Sequence, residues 1–416
     1  MNKFSSRAIS VVVAGVVLNL VLGVIYAWSV LAKALSLTAD KGGQWLWTPS
    51  QASLPYAIAL AVFALSMTVA GKLQDKYGPR PIAAIGGVLV GAGMFIASFA
   101  TPGGSHLPIL LGFGVLTGIG IGFGYSAATP PAVKWFGLAR KGLVSGIVVA
   151  GFGLASIYIS PLTTWLLGHD GGVQLAFRVL GIAFIVVAVG AAMFLVDPPE
   201  GYVAPEKAAK AGAKPAVAVV DRDWKYLLKT PRFYVIWLSY ACSLFAGLMI
   251  IGHMAKIVVA KVPTFEQAFL LVAVLAIGNA SGRVTAGFLL DKIGAVATML
   301  IAFLGQAAAL MLLSITTSIS PLIVLAICIG AFYGALLAIF PAMTTGFFGT
   351  KNFGINYGMV FTAYGVGGFF GAMTAGKIVE AYGSYNYAFY IAAGLCVLAA
   401  VLAPFAGRTL VHKDAA

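Results

Sequence analysis

The chain has 416 residues, of which 61% are hydrophobic and 9% charged, with a mean hydropathy of +0.99 and a formal net charge of +14. A soluble domain carries roughly 25% charged residues. A water-exposed surface of this size is therefore excluded; the alternative solvent is a bilayer, where roughly 20 apolar residues satisfy their own backbone as a helix.

Taken in chain order, Lys3 and Arg7 followed by an apolar run from Ala8 imitate a signal peptide. The run continues to about Leu35 without a clear small-residue cleavage site, so it is predicted to be the first span. Further spans are predicted at 49–71, 81–101, 107–133, 142–168 and 174–196. The only long polar segment, 197–231, follows with Lys207, Lys210, Lys214, Arg222, Lys225 and Lys229. Its Ala/Lys/Pro stretch predicts a flexible linker. Six more spans are predicted at 232–260, 265–289, 297–316, 320–346, 353–380 and 386–407. The expectation is an all-α membrane protein of twelve transmembrane helices, with a six-helix bundle over 1–196, a linker over 197–231 and a second bundle over 232–416.

An even number of spans puts both termini on one side. With the N-terminus inside, 19 of the 26 Lys and Arg residues fall on the cytoplasmic side, six near the other face and one, Arg283, within a span. The bias predicts cytoplasmic termini in a multi-pass inner (plasma) membrane protein. Basic residues confined to short loops form no stripe or stacking platform, which argues against nucleic acid as a partner. Cys242, Cys328 and Cys396 sit in apolar runs without CxxC spacing and read as small core residues, neither disulfide nor metal site.

The halves repeat. Gly71-Lys72-Leu73-Gln74-Asp75-Lys76-Tyr77-Gly78, followed by Pro79-Arg80, stands between spans 2 and 3. Gly287-Phe288-Leu289-Leu290-Asp291-Lys292-Ile293-Gly294 stands between spans 8 and 9, 216 residues on. A weaker pair follows spans 4 and 10: Pro131-Ala132 with Trp135-Phe136-Gly137, and Pro341-Ala342 with Phe347-Phe348-Gly349. Two parallel halves predict alternating access, with the substrate near midplane between them. In the repeated motif, glycine would allow close helix approach, and the aspartate would pair with cations or a helix N-terminus. The GxLxDxxG pattern resembles the signature loop of the major facilitator superfamily, a resemblance that covers the whole chain and implies its fold.

Arg283 lies eight residues before Asp291, about 12 Å inside the loop. A guanidinium at that depth needs a polar cavity or a partner. All twelve acidic residues fall in loops or at span ends, so the missing anion is expected to be the substrate, and the planar fork matches a carboxylate. The competing reading has Arg283 snorkelling to Asp291 or a loop carbonyl. Asn279, four residues earlier, shares its helical face. Tyr26, Trp28, Tyr125, Tyr158, Tyr333 and Tyr364 are either packing or ligands, Tyr125 and Tyr333 standing in glycine-rich settings. His253 is either a proton carrier or a satisfied core histidine. No nucleophile with its base and no HxxxH or acidic metal cluster is present, so neither an enzyme nor a cofactor is expected.

Trp135-Phe136 followed by Arg140-Lys141-Gly142 and Gly146, Phe340-Pro341, and Asn279-xxx-Arg283 with Asp291-Lys292-Ile293-Gly294 resemble the oxalate:formate antiporter branch, related to the monocarboxylate transporters. That resemblance implies a carboxylate site at Arg283 and a cavity lined by Tyr26, Leu31, Tyr125, Phe152 and Tyr333. It also implies a lysine in span 11 of the antiporter where this chain has Tyr364. A dianion in a low-dielectric site would need that second cation; one cation and a tyrosine suit a monoanion. The animal transporters carry an intramembrane aspartate at Asn279, which cannot titrate. The expected function is proton-coupled symport of small, lactate-like or pyruvate-like monocarboxylates by a monomer, with carboxylate exchange of the oxalate:formate type as the alternative.

Overall fold

The structure, a computed structural model, describes residues 6–136, 141–199, 201–202, 221–349 and 352–407, with no side-chain description for Lys141, Gly142 and Asp291. Gly137, Arg140, Lys207, Lys210, Lys214, Lys351 and both chain ends lie outside the described residues.

Among the described residues, eleven helices are long and apolar enough to cross a bilayer. They are α1 (Ser6–Leu35), α2 (Pro49–Tyr77), α3 (Pro79–Ala97), α4 (Leu107–Phe136), α5 (Leu143–Leu167), α6 (Gly172–Ala192), α7 (Pro231–Lys261), α8 (Phe269–Leu290), α9 (Lys292–Ile315), α10 (Ile319–Phe348) and α12 (Asn386–Ala406). The remaining predicted span forms α11 (Phe353–Tyr382), whose 30 residues give about 45 Å, ample for a crossing. Its seven glycines, with Asn356, Lys377 and Glu380, dilute its hydropathy. That composition suits a helix buried against protein on several sides better than one facing lipid.

The sequence repeat becomes a backbone repeat. Gly78 (φ 83°, ψ 169°), between α2 and α3, and Gly294 (φ 79°, ψ 171°), in the first turn of α9, adopt the same positive-φ conformation and redirect the chain after α2 and after α8. Only glycine takes that φ without a steric penalty. The glycines that open the motif behave otherwise: no described atom lies within 4 Å of a Cβ built at Gly71 or Gly287. The expected close helix approach at these two positions is not found, because the motif loop projects from the bundle. Asp75 and Arg80 are exposed.

The two halves meet along α2 and α11. Gly376 lies against Pro49, Ser50 and Ser53, Gly368 against Leu60, Gly365 against Ala61 and Ala64, and Gly358 against Thr68. Small residues at successive turns let the helices run together over most of their length. At the end opposite the linker, three hydrogen bonds reinforce the contact. The Tyr56 hydroxyl donates to the Leu248 carbonyl (3.1 Å), the Ser50 N–H to Glu380 Oε2 (3.3 Å), and Ser53 Oγ meets His253 Nε2 (3.2 Å).

Two helices depart from α geometry, α1 near its centre and α4 near its start. α1 passes through a 3₁₀ turn at Gly23–Ala27, where Gly23 presses on the Phe152 carbonyl and Ala155 of α5. A tightened turn at such a contact re-aims the side chains it carries, here Tyr26. α4 contains a π-helical segment, Leu110–Thr117.

Candidate functional site

Arg283 is positioned by a reciprocal glycine contact between α8 and α10. Gly278 and Gly282 press on the carbonyls of Ile327 and Ala331, and Gly330 and Gly334 press on those of Leu275 and Asn279. Any Cβ at these four positions would fall onto facing backbone, so the helices sit at the closest separation available. That contact brings Asn279 and Arg283 of α8 beside Tyr333 of α10.

Asn279 is fully buried and Arg283 is 6% exposed. The guanidinium Nε donates to Asn279 Oδ1 (3.1 Å), and Nη1 donates to the Val149 carbonyl of α5 in the other half (3.0 Å). Arg283 therefore bridges the halves; the described part of the competing snorkelling reading, a loop carbonyl, is not what it reaches. Two donors remain. Among the described residues, Arg283 Nη2 and Asn279 Nδ2 are buried without a well-formed hydrogen bond, the Tyr125 hydroxyl lying close enough to the guanidinium to interact with it. They flank one spot beside Gly153 of α5, where a built Cβ stands 3.3 Å from Asn279 Nδ2 and 3.7 Å from Arg283 Nη2.

Around the guanidinium stand the phenols of Tyr26, Tyr125, Tyr333 and Tyr364. Tyr26 from one half bonds Tyr333 (2.6 Å) and approaches Tyr364 (3.4 Å) from the other, and Tyr333 donates to Tyr364 (3.4 Å). Between the halves lies a narrow gap, closed too tightly in this structure to hold a water molecule, lined by Tyr26, Phe63, Tyr125, Phe152, Arg283, Leu337, Phe361 and Tyr364. Its walls interlock: Phe152 meets Tyr26 and Tyr125 edge-on at 5.0 and 5.2 Å, and Phe361 stacks on Tyr364 at 4.7 Å. The arrangement is an apolar aromatic box with one cation, phenolic hydroxyls and two free donors, the kind of site that orients a small polar molecule.

The other predicted residues lie elsewhere. Leu31 is buried but is not among the cavity-lining residues. Trp28 donates to the Ala52 carbonyl, and Tyr158 to that of Leu20 at the bundle surface. His253 is held among Ser53, Tyr385 (3.1 Å) and the Ala372 carbonyl (3.0 Å) at the end opposite the linker. Val149, Gly153, Phe63, Leu337 and Phe361 were not anticipated. Phe361, one turn before Tyr364, was within reach of helical periodicity; Val149 and Gly153 carry no chemical signal of their own. Lys256, counted among the six basic residues near the external face, lies five residues from the outer end of α7, and its Nζ is buried.

No described carboxylate is buried, and among the described residues no group of acidic, histidine or cysteine side chains is arranged to hold a metal ion. Repeated helical halves with a buried cation and an aromatic-lined gap between them are the architecture of a membrane transporter. The chain belongs to the Major Facilitator Superfamily, whose model matches residues 8–269 and 263–415. It is 29% identical over 415 residues to the oxalate:formate antiporter of Oxalobacter formigenes, covering 96% of this chain and 91% of that one. It is 27% identical over 342 residues to monocarboxylate transporter 13 of Bos taurus, covering 81% and 75%. The xylose transporter XylE from E. coli, in a partially occluded inward open conformation, shares the fold at TM-score 0.65 and 14% identity, over 95% of this chain and 98% of that one.

Proposed function

We propose that this protein is a secondary active transporter of small monocarboxylates, of the lactate or pyruvate kind, moved together with a proton by alternating access. The observation that carries the reading is the pair of buried donors without a well-formed hydrogen bond, Arg283 Nη2 and Asn279 Nδ2. Each unsatisfied buried donor costs about 1–3 kcal/mol, more when charged. A carboxylate has two acceptor oxygens and a charge opposite to that of Arg283, so it answers both donors and the guanidinium at once. Similarity to the oxalate:formate antiporter and to monocarboxylate transporters supports the same anion class.

Tyr364 stands in the cavity wall where a second cation would favour a dianion, and the narrow aromatic box suits a short chain. Tyr26, Tyr125, Tyr333 and Tyr364 supply hydroxyls to the substrate and Phe152 closes against it. A proton carried with the anion makes each cycle electroneutral. Asn279 cannot carry that proton, which leaves His253 or the substrate itself. The loop charges orient the linker and both termini to the cytoplasm of the inner membrane, with bundles over 1–196 and 232–416 in a working monomer.

The test is uptake of labelled lactate into proteoliposomes under an imposed pH gradient. Uptake should rise with inward proton flux and vanish in Arg283→Ala. Full uptake in that variant would overturn the binding reading; uptake indifferent to the gradient would overturn the coupling. The similarity to the antiporter favours a second reading, carboxylate exchange. It would appear as uptake only into vesicles preloaded with carboxylate, whatever the gradient.

A further inference from the structure

Three hydrogen-bonded or packed positions mark the face of α7 that meets the other half. The Leu248 carbonyl accepts from Tyr56, Gly252 lies against the Tyr56 ring, and His253 meets Ser53. Lys256 is four residues beyond Gly252 and three beyond His253, so it stands on that same face one turn further out. Its Nζ is buried and has no hydrogen-bond partner among the described residues. The contrast with the next lysine is direct: Lys261 donates to the Ser314 carbonyl (2.6 Å) and to Asn386 Oδ1 (3.1 Å). The acids at this end do not serve Lys256 either, since Asp40, Asp170, Glu266 and Glu380 are exposed.

Lys256 is five residues, or about 7.5 Å, from the outer end of α7, whereas Arg283 is fourteen residues, or about 21 Å, from the outer end of α8. The two cations are thus about 13 Å apart in depth, both at the interface between the halves. The Ser53–His253 contact that closes this end lies between them in depth. An ammonium buried without an acceptor is costly where it stands, so its place at a moving interface calls for a partner that arrives when the interface opens.

We infer that Lys256 is an entry site for the carboxylate on the outer side of the transporter, a first anion-binding position from which the substrate passes to Arg283. The inference rests on the proposed carboxylate transport. With the outer end open, the Ser53–His253 contact is broken and the Lys256 ammonium faces the path, paired with the incoming carboxylate. When the anion moves inward to Arg283, Ser53 returns to His253 and Lys256 is covered again. The ligand class is a small carboxylate anion; the same chemistry would hold a lactate, a pyruvate or an oxalate.

The experiment uses the full chain in oriented proteoliposomes and compares wild type, Lys256→Met, Lys256→Gln and Lys256→Arg with labelled lactate, pyruvate and oxalate. Removing the charge should raise the half-saturating concentration from the outer side by about tenfold, the weight of one lost ionic hydrogen bond. It should leave the half-saturating concentration from the linker side within twofold, and Lys256→Arg should stay close to wild type on both sides. Lys256→Met should also melt at or above the wild-type temperature in the absence of substrate, because it removes an unpaired buried charge; a purely structural lysine would give the reverse. Equal outer half-saturation in wild type and Lys256→Met, with uptake lost in Arg283→Ala, overturns the entry site and leaves the central site standing. A lowered melting temperature with equal weakening on both sides also overturns it. A wild type that moves none of the three carboxylates overturns both readings together.

Discussion

Gly153 offers the sharpest test of where the substrate carboxylate binds, because the residue makes no polar contact of its own. In Gly153→Ala the new methyl would stand 3.3 Å from Asn279 Nδ2 and 3.7 Å from Arg283 Nη2, in the space beside the two free donors. Gly153 lies in the helical segment Lys141–Leu154 with ordinary helical backbone, so alanine should favour that segment by up to about 1 kcal/mol. The first distance is tight enough that Asn279 must yield by a few tenths of an ångström, which offsets part of that gain. The melting temperature of the empty protein should therefore change little.

Binding should respond differently. A methyl at this spot denies a carboxylate oxygen at least one of the two donors, and a hydrogen bond to a charged group is worth about 1.5–3 kcal/mol. At about 1.4 kcal/mol per decade, affinity should fall by about 10- to 100-fold. The measurements are titration of purified protein with lactate and half-saturation of uptake, each beside a melting curve without ligand. Wild-type affinity in Gly153→Ala would refute the placement of the carboxylate at these donors. A fall in melting temperature large enough to account for the weaker binding would refute the claim that the effect is local.

Arg283→Lys keeps a charge but loses the fork that holds Asn279 and Val149 together, so lactate uptake should drop at least tenfold, read as initial rate. Tyr364→Lys adds a second cation to the cavity and should shift preference in a thermal-shift panel from monocarboxylates towards oxalate; an unchanged order would show that the wall residue does not count charge. Gly294→Ala should cost about 1–2 kcal/mol through its positive φ, seen as a lower melting temperature. Gly287→Ala, helical and with open space around it, should raise the melting temperature slightly, by up to about 1 kcal/mol of stability.

Much of the architecture was legible because the bilayer imposes it. Apolar runs interrupted by short basic loops predict helices to within a few residues, and the repeated GxLxDKxG predicted the relation between halves that Gly78 and Gly294 realise with matching φ and ψ. Arg283 was legible for the same reason, since a guanidinium in a span without a nearby acid is an anomaly in any membrane sequence. Gly153 and Val149 were not, because their part in the site is a distance to another helix and not a chemical type. The burial of Lys256 was not legible for a third reason: a lysine five residues from a helix end reads by sequence position as a charge near the external face, and only the folded structure shows its ammonium covered.

The residues missed by sequence bear on how binding and closure are joined. A ligand promotes closure only by the difference in its affinity for the two states, so the groups that hold it must come from both halves. Here the guanidinium of the second half already donates to the Val149 carbonyl of the first, leaving Nη2 and Asn279 Nδ2 facing Gly153 one turn along the same helix. A carboxylate on those donors is enclosed by α5 from one side and α8 from the other. Tyr26 repeats the pattern by bonding Tyr333 across the interface. Opening the halves breaks both bridges and strips the anion of its enclosure. In the proposed transport the cation that selects the substrate would also make closure depend on it, so Arg283→Ala should remove both properties at once: carboxylate binding, and any ligand-induced protection of the α5–α8 interface from hydrogen exchange.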